Sequence, residues 1–263
     1  MRKERKSPDN MTFLEHLEDL RKRIWYSFVA IIIVVIPAWF FSKDVYNIIA
    51  RPITRFLPEG EKLVFTSLPA PFFLYMKVSF LTALFVAAPF IFLQVWYFVA
   101  PGLYQREKKH VIPFVLLTTI FFSGGAVFAY LVVFPFACNF FLGMGSEFKA
   151  MITVDQYFSL ALRVILGIAL VFELPTLVYF LAKMGLVSAR MMIKYFKYAV
   201  LVVFVIAAII TPTPDMFTQS IIAVPMLGLY GLSILIALAV GKQRSRRRDQ
   251  EEQEQEQEED LSG

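Results

Sequence analysis

The chain has 263 residues, of which 58% are hydrophobic and 16% aromatic, and a net charge of +5. That composition excludes an ordinary soluble domain, where about half of the residues are apolar. One cysteine, Cys138, excludes an intramolecular disulfide, and two isolated histidines, His16 and His110, make no metal-ligating cluster.

Met1–Asn10 is polar and charged, and no cleavable signal peptide is read ahead of the first apolar run. Thr12-Phe13-Leu14-Glu15 fits a capping box. Phe13, Leu17, Leu20 and Ile24 then recur on one helical face, predicting an amphipathic helix that lies on the cytoplasmic surface and enters the membrane. Glu18 and Lys22, and Asp19 and Arg23, are i,i+4 pairs in the favourable order. Read by themselves, these carboxylates can simply hold a solvated face.

The first span is Ile24–Phe41. A long outer loop, Ser42–Lys77, follows, stiffened by Pro52, Pro58, Pro69 and Pro71. The second span is Val78–Ala100. The connection Tyr104–His110 is basic and holds one acid, Glu107, which either neutralises the loop or accepts a cation through paired hydrogen bonds. The third span is Ile112–Cys138, with Cys138 a structural thiol. The fourth, Tyr157–Ala182, carries Arg163 and Glu173, which lie about 15 Å apart along a helix and too far for a direct pair. Arg163 lies nearer the outer face, where its side chain can snorkel. Glu173 must face the protein interior or a wet cavity, as a functional acid or a polar anchor between helices.

The fifth span, Tyr198–Ile210, covers only about 20 Å, so either the bilayer thins and flanking residues snorkel or the helix is buried by its neighbours. After the Thr211–Asp215 turn, Asp215 and Gln219 either cap the sixth span, Ser220–Val240, or contact a partner helix. Pro37, Pro89, Pro175 and Pro225 lie inside the runs and predict kinks rather than breaks. The tail, 241–263, is basic and then Gln/Glu-rich, and is expected to be disordered. The domain division is therefore 1–11 polar segment, 12–240 membrane domain and 241–263 cytoplasmic tail.

The runs are continuous, so they are helices and not barrel strands. Nineteen of the 26 Lys and Arg residues fall on the side that holds both termini, against six on the other and Arg163 within a span. The positive-inside rule then gives an N-in/C-in protein with six transmembrane helices. Basic residues concentrated beside the spans account for the charge without nucleic acid. No nucleophile–base grouping and no glycine-rich phosphate loop is present, so no catalytic residue and no cofactor is expected. A proton-coupled solute transporter using Glu173 and Arg163 is the rival reading, although no internal repeat of the transporter kind is evident.

Phe13-Leu14-Glu15-His16-Leu17-Glu18-Asp19-Leu20-Arg21-Lys22-Arg23 resembles the amino-terminal signature of the TatC family, the core receptor of twin-arginine protein export. Ser67–Phe73 resembles the family's outer-loop motif, and Gln94–Tyr104 through Glu107 and Lys108 its first cytoplasmic loop. Phe172-Glu173-Leu174-Pro175 and the Pro214-Asp215 turn ending near Gln219 are similar too, so the resemblance runs in order from about residue 12 to 240.

The resemblance implies a concave helical scaffold in a bacterial inner membrane that binds twin-arginine signal peptides of folded cargo. It implies signal-peptide contacts at Asp19, Glu107 and Phe98, with Glu18 and Arg21 beside them. The family usually has Glu where this chain has Asp19, which shortens the reach by one methylene. Glu173, Asp215 and Gln219 fall in the region that would meet TatA- and TatB-like single-span subunits, and Pro52 and Arg163 are taken as structural. Self-association within a complex and transport driven by the proton-motive force complete the expectation.

Overall fold

The computed structural model describes residues 13–55, 63–99, 111–145, 147–148, 151–211 and 215–262. Among these, the chain is helical throughout apart from one isolated bridge, Val64 with Thr153. Among the described residues, five helical stretches are long and apolar enough to cross a membrane: Leu14–Phe40, Ala70–Val99, Val111–Met144, Val154–Met184 and Met216–Lys242. The apolar helix Phe196–Ile210 is shorter than these, as the short fifth run leads one to expect.

The chain divides into two compact groups, 1–166 and 167–263. In the first, α1 (Phe13–Phe40) is one unbroken helix that packs along α3 (Ala70–Val99). No glycine or proline lies between Phe13 and Ile36, so nothing separates the amphipathic segment from the span. The residues facing α3 from the start of α1 are polar, whereas Leu17 and Ile24 of the apolar stripe are exposed. That polarity suits a helix whose outward surface meets lipid.

The connection between the first two spans holds a helix of its own. Ser42–Thr54 forms α2, and α3 starts at Ala70, eight residues before the expected boundary. Pro52 is buried inside α2 and not in a loop. Lacking an N–H, it leaves the carbonyl of Ile48, four residues earlier, without its helical donor. The Tyr130 hydroxyl donates to that carbonyl at 2.6 Å, and the Tyr157 hydroxyl donates to the next, Ile49, at 2.9 Å. Tyr46 stacks on Phe158 with ring centroids 5.0 Å apart. Burial and then neighbouring Tyr75 hold the Tyr46 phenol above its ordinary pKa.

The third span contains a defect with a similar cause. After α4 (Val111–Phe128), residues Ala129–Val133 form a π-helical turn before α5 (Phe134–Met144). Phe134 N–H donates five residues back to Ala129, and Pro135 follows at once with no donor to offer.

The helix α6 (Val154–Val171) ends at a two-residue turn, Phe172-Glu173, before α7 (Leu174–Met184). The kink expected from Pro175 is therefore a break in the helix. Pro175 sits in the first turn of α7, where a missing N–H costs nothing. Pro37, Pro89 and Pro225 stay inside continuous helices.

In the second group, Gly185 (φ 80°) ends α7 in the left-handed conformation a helix C-terminus favours, and Ser188 caps the short α8 (Ala189–Lys194) through Met191 N–H. Both pack on α10 (Met216–Ser262), and the Tyr230 hydroxyl donates to the Met192 carbonyl at 3.0 Å. The 15-residue α9 (Phe196–Ile210) buries Val203, Ala207 and Ile210 along one stripe and leaves Leu201, Val202, Val205 and Ile209 exposed. It is not enclosed by its neighbours. Lys194 and Lys197 lie over the Tyr195 and Tyr198 rings, near its start, as flanking residues that snorkel do.

Through the tail, where disorder is expected from composition, α10 continues as helix to Ser262. No glycine or proline occurs between Lys242 and Ser262, and Glu, Gln and Arg are strong helix formers.

Candidate functional site

His16, Asp19 and Arg23 stand at i, i+3 and i+7 on α1 and so share one face. Gln94, Tyr97 and Phe98 do the same near the C-terminal end of α3, at i, i+3 and i+4. These two stripes meet. The His16 and Phe98 rings stack, with centroids 4.4 Å apart and planes 16° apart. Arg23 Nε donates to Asp19 Oδ2 at 2.9 Å, and Arg23 Nη1 donates to Gln94 Oε1 at 3.4 Å. The same guanidinium lies over the Tyr97 ring, 5.2 Å from its centre.

The Asp19–Arg23 pair is three-quarters or more buried at both side chains. Gln94 is buried, and Phe98 is half-buried. A carboxylate in that setting suits a guanidinium, which is planar and weakly hydrated, better than a strongly hydrated ammonium. The Glu18–Lys22 pair expected from spacing does not form. Lys22 lies over the Tyr26 ring instead. Glu18 and Arg21 are exposed, away from the face that meets α3. Glu107, like the Thr12 end of the capping box, lies outside the described residues.

The other candidate residues sit elsewhere. Glu173 is half-buried and precedes α7 at the helix break, its carbonyl accepting from Leu177 N–H at 2.8 Å. Asp215 caps α10: its Oδ1 accepts from Thr218 N–H at 2.7 Å, and its carbonyl from Gln219 N–H at 3.1 Å. Arg163 is exposed on α6. At the opposite end of α3, Lys77 Nζ bonds Asp155 at 2.6 Å and Ser159 at 3.3 Å, beside a cavity of about 270 Å³ under Phe65–Ser67.

His16, Arg23, Gln94 and Tyr97 complete the cluster without having been singled out as site residues. All four lie within the two motifs, and the i+3 and i+4 spacings give each stripe. Nothing in the spacing says that the two stripes face each other.

The family model "Sec-independent protein translocase protein (TatC)" matches residues 15–225. The chain belongs to the TatC family. A TatC protein of Koribacter versatilis is 47% identical over 233 residues, covering 88% of this chain and 86% of the relative. One of Desulforapulum autotrophicum is 43% identical over 242 residues, covering 92% and 88%. A crystal structure described as the twin arginine translocase receptor TatC superposes with a TM-score of 0.78 at 36% identity, over 86% of this chain and 99% of that one. Membership makes the chain a multi-pass membrane component of the Sec-independent protein translocase, in a family of transport proteins and not of catalysts.

Proposed function

We propose that the chain is the receptor subunit that binds twin-arginine signal peptides of folded cargo at the cytoplasmic end of α1 and α3. The observation that carries the reading is the placing of Asp19: a largely buried carboxylate engaged with the guanidinium of Arg23, on the face of α1 from which Arg23 meets Tyr97 and His16 meets Phe98. Glu107 supplies the second carboxylate, so that two consecutive arginines find two acids. The peptide's apolar stretch then runs against the membrane-facing helices.

On this reading both termini are cytoplasmic in a bacterial inner membrane, as the bias of Lys and Arg supports. Glu173, at a helix break where its charge is costly in hydrocarbon, marks the contact with TatA- and TatB-like single-span subunits. Asp215 shapes the start of α10 for the same contact. The proton-motive force drives transport, and copies of the chain associate in the complex.

The test is peptide binding by the full chain in nanodiscs. D19N and E107Q each lower affinity for a twin-arginine peptide about tenfold or more, the scale of a lost charge-assisted hydrogen bond of about 1.5–3 kcal/mol. D19E retains binding. Unchanged affinity in both neutral variants contradicts the proposal.

A further inference from the structure

Asp19 is already occupied. Its carboxylate is held by Arg23, whose guanidinium is also held by Gln94 and by the face of Tyr97. A signal-peptide arginine that binds Asp19 therefore meets a carboxylate with a resident guanidinium, not an open one. We infer that Arg23 sets the affinity of the site, as an internal stand-in that an incoming guanidinium must displace from Asp19. This rests on the recognition role proposed for Asp19.

The geometry makes the exchange local. Arg23 reaches Asp19 through Nε, while Nη1 goes to Gln94 and the plane lies over Tyr97. When the carboxylate is taken, the contacts with Gln94 and Tyr97 remain, so the displaced cation keeps a polar partner and a ring. The resident also sets a threshold. An incoming arginine replaces a charge-assisted contact with one of the same kind and adds the second N–H of its fork. An incoming lysine offers a compact, strongly hydrated ammonium, and loses more hydration for a single-point contact. The cost of displacing Arg23 is common to every cation that takes the carboxylate, so the resident raises the threshold for binding, while the preference for arginine over lysine comes from the fork and weaker hydration of the guanidinium.

A purely structural Arg23, tying α1 to α3, makes the opposite prediction. Its loss loosens the site and weakens every ligand. The deciding experiment measures binding of fluorescent twin-arginine and twin-lysine peptides to the full chain in nanodiscs, for wild type, R23Q, D19N and the D19N/R23Q double variant. R23Q is expected to bind the twin-arginine peptide about two- to fivefold more tightly, the range for freeing a carboxylate from a partly exposed ion pair. It binds the twin-lysine peptide more tightly by a similar factor, so the threshold falls while discrimination between the two peptides stays. In the D19N background the R23Q gain disappears.

Unchanged or weaker binding of the twin-arginine peptide by folded R23Q overturns the inference. If D19N alone leaves binding intact, the recognition role of Asp19 fails and the inference with it. If D19N weakens binding but R23Q does not strengthen it, only the inference fails. Should R23Q not fold, R23K retains the cation without the fork, and the same comparison decides with a smaller expected gain.

Discussion

Tyr130 donates its hydroxyl to the carbonyl of Ile48, the acceptor that Pro52 leaves without a helical donor. A proline inside α2 is thus matched by a hydroxyl from the third span. In Y130F that carbonyl loses its partner, at a cost of about 1–3 kcal/mol where water cannot replace it. In P52A the helix regains its own donor. The double variant P52A/Y130F is therefore destabilised by less than the sum of the single changes, and thermal unfolding in detergent reads the difference. Strict additivity contradicts the pairing.

Gly167 and Ile210 touch at a contact without spare room. A Cβ at position 167 would lie 2.6 Å from Cδ1 and 2.8 Å from Cγ1 of Ile210. G167V adds that atom and two methyls, and overpacking of this kind costs about 1–3 kcal/mol. I210A opens space at the same place. G167V/I210A is expected to unfold at a higher temperature than G167V alone. A double variant less stable than both single variants counts against the contact.

Asp215 is an N-cap of α10, with Oδ1 2.7 Å from Thr218 N–H. D215A loses about 1 kcal/mol of stability, whereas D215N and D215S keep an acceptor and most of the cap. Co-purification of single-span subunits separates two roles. If D215N keeps the partners that D215A loses, Asp215 acts by shaping the helix start. If D215N also loses them, its charge touches the partner.

The His16–Phe98 stack joins the first turns of α1 to the end of α3. Aromatic pairs add about 0.5–1.5 kcal/mol beyond area burial. F98A and H16A are each expected to lower stability by more than that amount, and the double variant to lose less than the sum of the two by about that amount. Full additivity in unfolding temperature shows that the rings do not act as a pair.

Most of the membrane fold is legible because the spans are continuous apolar runs and their flanks are basic. What is not legible has identifiable causes. Ser42–Thr54 mixes polar and apolar residues around a proline and reads as loop, yet Tyr130 and Tyr157, far along the chain, satisfy its carbonyls. Pro175 announces a disturbance but does not say whether the helix bends or stops at Phe172-Glu173. A Gln/Glu tail that cannot bury a core is still built from helix formers, and composition alone does not separate those outcomes. At the site, the Asp19–Arg23 pair follows from i,i+4 spacing. The meeting of that pair with Gln94 and Tyr97 is a tertiary fact, carried by how α1 and α3 pack.

On the proposed function, Asp19 and Glu107 recognise consecutive arginines. The most direct test of that recognition is photo-crosslinking from positions 19 and 107 of the full chain in membranes to a twin-arginine signal peptide and to its twin-lysine variant. Strong labelling of the twin-arginine peptide from both positions and little labelling of the twin-lysine one is expected. Equal labelling of the two peptides contradicts the recognition.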